Sequence, residues 1–281
     1  EGKIVMQLAH AGAHAITKLT GQEALGPSVK ASEEGPLCRE ISKDEIAKLI
    51  TAFAEGAERA KRAGFDGVQI HAAHGYALSQ FLSPFYNKRT DEYGGTIENR
   101  ARIVLAIFKA IRKVVGENYP VLVKMNSDDF VEGGFSLQDM IETALLLENA
   151  GIDAIEMSGG NLSYSGKLGP VRAGKIDSPE KEVFYREAAK QYKQKINVPL
   201  ILVGGIRSFE TAESLVKDGI ADYISLSRPL IREPHLVKRW KSGDTAPATC
   251  LSDNLCFKPA MEGKGVYCLT EERIKSKNAS E

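Results

Sequence analysis

Short, continuous Val/Ile-rich runs alternate along this chain with stretches of helical periodicity, and that alternation narrows its folding options more than anything else in the sequence. The runs end at Leu8, His71, Met125, Met157, Val203 and Leu226. Being apolar on consecutive residues, they suit strands covered on both faces, as in a parallel sheet. The intervening segments read as helices. Ser42 with Glu45 makes a capping box ahead of Ile46, Leu49, Ile50 and Phe53, and Gly64 stands where a C-terminal glycine belongs. Thr96 is expected to cap a helix carrying Ile103, Val104, Ile107, Phe108 and Ile111. Ser136 with Asp139 opens a third helix, closed by Gly151, and Ser208 a fourth, closed by Gly219. The phrases beginning at Ala63, Ala150 and Asp218 echo one another, each ending a helix at glycine and re-entering a strand.

Repeated β-α units imply a parallel α/β fold. A doubly wound sheet would be expected to open with a G-x-G-x-x-G turn, which is missing, so the expected architecture is a TIM-type (β/α)8 barrel. Six strands are legible. The expectation is that the first two of eight are absent from this chain, with 1–249 forming strands three to eight and 250–281 an extension. The 281 residues suffice for one such barrel. Lys plus Arg number 37 and Asp plus Glu number 37, so no net field favours nucleic acid or an anionic membrane, and a small-molecule partner is expected. No apolar run approaches the ~20 residues that span a bilayer, and a cytoplasmic protein is expected. A homo-oligomer is left open.

The densest chemistry lies in Ile70-His71-Ala72-Ala73-His74-Gly75-Tyr76, running off a strand at the end where α/β barrels carry active sites. Two histidines three apart are by themselves ordinary loop residues. Zinc would want a further ligand, as in H-E-x-x-H, and none is evident. Gly204-Gly205 and Ser227-Arg228-Pro229 follow the last two strands, where barrels commonly hold a phosphate. Glycine lets backbone approach closely, proline suits a first helical position, and arginine pairs with phosphate.

The stretch from His71 to Pro84, continuing through Asn87-Lys88-Arg89-Thr90-Asp91-Glu92-Tyr93-Gly94-Gly95 to Glu98-Asn99-Arg100, closely resembles the Old Yellow Enzyme family of NAD(P)H:flavin oxidoreductases, nearest its 2,4-dienoyl-CoA reductase and enoate reductase branch. Gln7-Leu8-Ala9-His10-Ala11-Gly12 shares the resemblance. It implies an FMN-dependent ene-reductase that takes hydride from NAD(P)H and passes it to the C=C bond of an α,β-unsaturated carbonyl compound. His71 and His74 match positions that hydrogen-bond the carbonyl oxygen above the flavin, and Tyr76 matches the proton donor. Gln7 matches a contact to the pyrimidine edge, and Lys124 a position often arginine beside N1 and C2=O. Gly204, Gly205, Ser227 and Arg228 match the phosphate pocket. Nicotinamide and oxidant are expected to use one pocket in turn, which explains the missing dinucleotide fingerprint.

Cys250, Cys256 and Cys268 resemble the segment that holds a 4Fe-4S cluster in that branch. Four thiolates are needed. Asp253 stands where the second cysteine is expected and Cys38 is far away in sequence, so the site reads as degenerate and no cluster is expected. Three readings compete with ene-reduction: an amine dehydrogenase or demethylase on the same barrel, a phosphate-binding barrel without flavin, and an inactive fragment with open sheet edges. In the 161–175 loop, Lys167, Arg172 and Lys175 are expected either to touch an anionic substrate or to be solvated.

Overall fold

The computed structural model describes residues 2–32, 35–163 and 169–278. Strand β1 (Val5–Leu8) is followed by helix α1 (Thr17–Thr20) and a side sheet of β2 (Leu25–Gly26), β3 (Lys30–Ser32) and β4 (Gly35–Glu40), in the order β2-β4-β3. The alternation then runs α2 (Lys43–Arg62), β5 (Gly67–Ala72), α3 (Ala77–Leu82), α4 (Ile97–Val115), β6 (Val121–Asn126), α5 (Leu137–Ala150), β7 (Ala154–Ser158), α6 (Arg186–Lys195), β8 (Leu200–Leu202), α7 (Phe209–Lys217) and β9 (Tyr223–Ile224). Helices α8 (Arg228–Arg232), α9 (Leu236–Lys241), α10 (Phe257–Met261) and α11 (Leu269–Asn278) complete it.

The main sheet has the order β1-β5-β6-β7-β8-β9, parallel throughout. Spatial order equals chain order, so the sheet winds in one direction without the reversal of a doubly wound fold. Register sets Gln7 opposite Gln69, His71 opposite Lys124, and Lys124 opposite Glu156. The site residues of neighbouring strands are thereby brought level. Among the described residues β1 and β9 form the two edges and do not pair with each other.

Every residue of β5 and β7 is buried, as the continuous apolar runs require. Strand β1 departs from that expectation: Ile4 is 59% and Val5 42% exposed, because an edge strand has a neighbour on one side only. Helix α4 lays Ile103, Val104, Ile107, Phe108 and Ile111 into the core, all buried. Each such side chain contributes about 1.5–3 kcal/mol. The capping boxes at Ser42 and Ser136 form with both reciprocal bonds, and Ser208 accepts from Thr211 N. Thr96 occupies its N-cap position without a side-chain cap bond, leaving Glu98 in the first turn to complement the helix dipole. The side sheet carries no apolar run: β2 and β3 have only two and three residues, and the six of β4 include Gly35, Pro36, Arg39 and Glu40. No described helix is long and apolar enough to cross a membrane.

Candidate active site

His71 is the second-to-last residue of β5, 6% exposed, and its Nδ1 has no hydrogen-bond partner among the described residues. Beyond the strand the chain reverses through two left-handed residues, His74 at φ +67° and Gly75 at φ +81°. For a non-glycine residue this costs about 1 kcal/mol or more. Three hydrogen bonds hold it: His74 N donates to Asn126 Oδ1 at 3.1 Å, His74 O accepts from Leu162 N at 3.1 Å, and Nε2 meets Ser158 Oγ at 2.7 Å. Asn126 is itself fixed, its amide donating to Asp129 Oδ1 (2.7 Å) and Gly160 O (2.9 Å). Gly75 is sterically required, since a Cβ there would lie 3.0 Å from Asn161 Oδ1 and 3.2 Å from Tyr86 Oη. Tyr76 then takes the N-cap position of α3, a helix whose six residues are all buried. The result is a cluster of three rings, with centroids 5.3 Å apart for His71 and His74 and 5.3 Å apart for His71 and Tyr76.

Burial, then the Lys124 ammonium, pull the His71 pKa down to about 4, with Glu156 opposing. Burial, then His71 and Lys124, pull His74 down to about 3. Both imidazoles are therefore neutral at neutral pH, each with one N–H to donate.

Beneath the rings lies a polar layer drawn from successive strands. Gln7 Nε2 donates to Gln69 Oε1 (2.7 Å) and Gln69 Nε2 to Glu156 Oε2 (2.9 Å). Lys124 Nζ and Ser225 Oγ both reach Glu156 Oε1 at 2.9 Å. Burial raises the Glu156 carboxyl, but the Lys124 charge and the donors from Lys124, Gln69 and Ser225 outweigh it and hold it below the usual range.

His74, Lys124, Gly204, Gly205, Ser227 and Arg228 line one cleft of about 160 Å³. His71 and Tyr76 adjoin it through the ring cluster, whereas Gln7 stands apart at the exposed edge and, among the described residues, is linked to it by Gln69 and Glu156. Gly204 and Gly205 have φ of +123° and +79°. A Cβ on Gly205 would sit 2.5 Å from Phe184 Cε1, and one on Gly204 2.8 Å from Tyr185 Cε2. Only glycine brings the backbone this close under those rings. Arg228 donates to Arg172 O (2.9 Å) and Asn254 Oδ1 (2.6 Å) rather than standing free, while Arg207 Nε is buried with no hydrogen-bond partner among the described residues. The half-buried Arg172 lays its guanidinium over Phe130, Phe184 and Tyr185 at 5.1, 4.7 and 5.4 Å from the ring centroids, and the last two of these rings also line the cleft. Lys175 pairs with Asp177 at the surface, and Lys167 lies outside the described residues.

These groups fit FMN: a glycine cradle and two arginines for its phosphate, and a lysine with an orphaned imidazole nitrogen nearer the rings. Gly205→Ala is expected to destabilise the fold by roughly 1–3 kcal/mol and to weaken FMN retention, because the new methyl collides with Phe184 at a left-handed position. Thermal unfolding with flavin titration checks this, and wild-type values in both would refute it.

The four cysteines fall in two places. Cys38 is buried in the side sheet against Ser28 O. Cys250, Cys256 and Cys268 line a second pocket together with Asp253, Arg228 and Arg232. Arg232 Nη1 reaches Cys268 Sγ at 3.5 Å, and the Asp253 carboxylate accepts from Leu255 N and Thr270 Oγ1. Among the described residues no three His, Cys, Asp or Glu side chains are arranged to hold a single metal ion, and these four do not make a four-thiolate set.

Sequence reasoning missed Gln69, Asn126, Glu156 and Ser158. Each is a buried polar residue, Gln69 and Glu156 in mid-strand and Asn126 and Ser158 at strand ends, and a polar residue within an apolar run is the one signal that marks it.

Residues 1–246 match the model of the NADH:flavin oxidoreductase / NADH oxidase family. Over 257 residues the chain is 37% identical to the NADH oxidase of Thermoanaerobacter brockii, covering 90% of this chain and 38% of that protein. Among solved structures, a 2-naphthoyl-CoA reductase superposes with TM-score 0.76 at 31% identity, over 86% of this chain and 39% of its own. The Old Yellow Enzyme homologue from Zymomonas mobilis gives 0.71 at 29%, over 89% and 69%. The chain thus spans about two fifths of the first curated relative it matches. The parallel winding, the family match across the barrel and these superpositions lead to one assignment: the chain belongs to the NADH:flavin oxidoreductase / NADH oxidase family and has the TIM-type α/β fold of the Old Yellow Enzyme group.

Proposed function

We propose that this chain is the FMN-binding barrel of an ene-reductase that moves hydride from NAD(P)H, through the flavin, to the C=C bond of an α,β-unsaturated carbonyl compound. The observation that carries the reading is the ring cluster: two neutral imidazoles and a phenol gathered at the end of β5 beside a cleft with a glycine cradle. FMN, when bound, supplies the hydride exchange that no amino-acid side chain can provide. The protein supplies position and charge. His71 and His74 each donate one N–H toward the substrate carbonyl oxygen as negative charge grows on it, and fixed donors of this kind need no reorganisation at the moment of reaction. Tyr76 brings a phenolic O–H, the donor able to give a proton to the α-carbon. Lys124 places a cation on the wall of the same cleft. The similarity to a 2-naphthoyl-CoA reductase supports a substrate whose reducible bond is conjugated to a carbonyl.

Purified protein supplied with FMN is expected to turn yellow, to be bleached anaerobically by NADH or NADPH, and to be reoxidised by cyclohexenone. Bleaching by a methylated amine with no response to the enone would replace ene-reduction by C–N oxidation. Failure to bind FMN in excess would return the barrel to a phosphate-binding role without flavin.

A further inference from the structure

We propose that Glu156 sets the reduction potential of the bound flavin, by fixing where the Lys124 ammonium lies and by offsetting its charge; this rests on the FMN reading above. Glu156 is 7% exposed and sits at the centre of the polar layer. Its carboxylate takes Gln69 from β5, Lys124 from β6 and Ser225 from just beyond β9, so three parts of the sheet converge on one side chain of β7. Among the described residues Lys124 Nζ donates to Glu156 alone. An ammonium has three donors, so two remain for whatever enters the cleft that Lys124 lines.

The arrangement has a definite electrostatic sign. Reduction adds negative charge to a flavin, and a nearby cation favours it. An uncompensated Lys124 would favour it strongly. Glu156, 2.9 Å from that ammonium, cancels part of the field and keeps reduction from becoming too easy. A flavin that must both accept hydride and pass it on needs an intermediate potential. An ion pair retained only for stability has a weaker rationale, since a buried pair is often no better than well-packed apolar residues. Here the Lys124 end of the pair lines the cleft, and both partners act on His71, Lys124 lowering its pKa and Glu156 raising it. Glu156 touches none of the reacting atoms. It is a positioning residue.

The experiment is a dye-linked potential titration of the FMN-loaded full chain. Glu156→Gln keeps the shape and removes the charge, and the two amides Gln69 and Gln7 can turn over to satisfy it. The ratio of FMN dissociation constants, oxidised over reduced, is expected to rise about tenfold, which is about 30 mV for a two-electron couple. Glu156→Asp is the second variant. It keeps the charge, draws Lys124 one methylene away from the cleft, and is expected to shift the ratio downward. Opposite signs for the two variants support the proposal, and should one variant fail to fold, the other decides by its sign. Unshifted or same-sign potentials in FMN-bound variants overturn it, since a merely structural role would alter FMN retention and leave the potential alone. If the wild-type chain takes up no FMN, the flavin reading itself falls and this inference with it.

Discussion

His71→Ala is expected to slow reoxidation of the reduced flavin by cyclohexenone about 10²–10³-fold, the usual loss when one fixed donor to a developing oxyanion is removed. The fold should survive, because the ring's Nδ1 has no partner among the described residues, His74 is held by Asn126 and Ser158, and Tyr76 by Ala73 O and the His14 ring. Reduction by NADH, which puts no charge on a substrate oxygen, should suffer far less. Anaerobic stopped-flow resolves the two half-reactions. A loss confined to the NADH step, or a reoxidation rate within threefold of wild type, would remove His71 from the carbonyl clamp.

Acid should unfold this protein through its own active site. His71 titrates near 4 in the fold and near 6.5 in the unfolded chain, so the unfolded state binds the extra proton across that window. Stability contributed by the neutral ring is complete above pH about 6.5, is lost progressively as pH falls toward 4, and levels off below the folded value. Two and a half pH units correspond to about 3 kcal/mol from this ring. His74, with a folded value of about 3, extends the loss to lower pH. Asp129 works in the other direction, since burial raises its carboxyl and favours its protonated form in the fold. Urea unfolding at pH 7 and pH 4.5, compared between wild type and His71→Asn, isolates the imidazole. A His71 ring that titrates near 6.5 by NMR in the folded protein would show that the site is wetter and less positive than its geometry implies.

The strand ends read from the sequence fall within about two residues of the observed ones, because continuous apolar runs bounded by capping residues leave little choice of register. The same rule misjudged β1, whose apolar residues are half in water, since hydrophobicity reports what a strand can bury and not whether a neighbour is there. Of the candidate site residues, Gly204, Gly205, Ser227 and Arg228 stood out as turns after the last two strands, whereas the roles of His71, His74, Tyr76, Gln7 and Lys124 rested on family resemblance. Their partners were not legible. Glu156 sits inside Ala154-Ile155-Glu156-Met157-Ser158, where a lone carboxylate in an apolar run looks like an interruption, and only the fold shows three donors converging on it. The surroundings of Arg172 were equally hidden: its charge suggested solvent or an anion, and the fold adds three aromatic rings against its flat face.

The left-handed backbone at His74 filters what evolution or an engineer can place there. Beyond glycine, that conformation is entered most readily by asparagine, aspartate and histidine, and a β-branched residue takes it only under strain, as Val183 does at φ +59°. Of those admitted, aspartate is charged at neutral pH and would repel a forming oxyanion, and glycine offers nothing. Histidine and asparagine alone combine the permitted turn with a neutral N–H. A library randomised at this codon should therefore return those two residues among its active members, a vocabulary written by main-chain geometry before any substrate arrives.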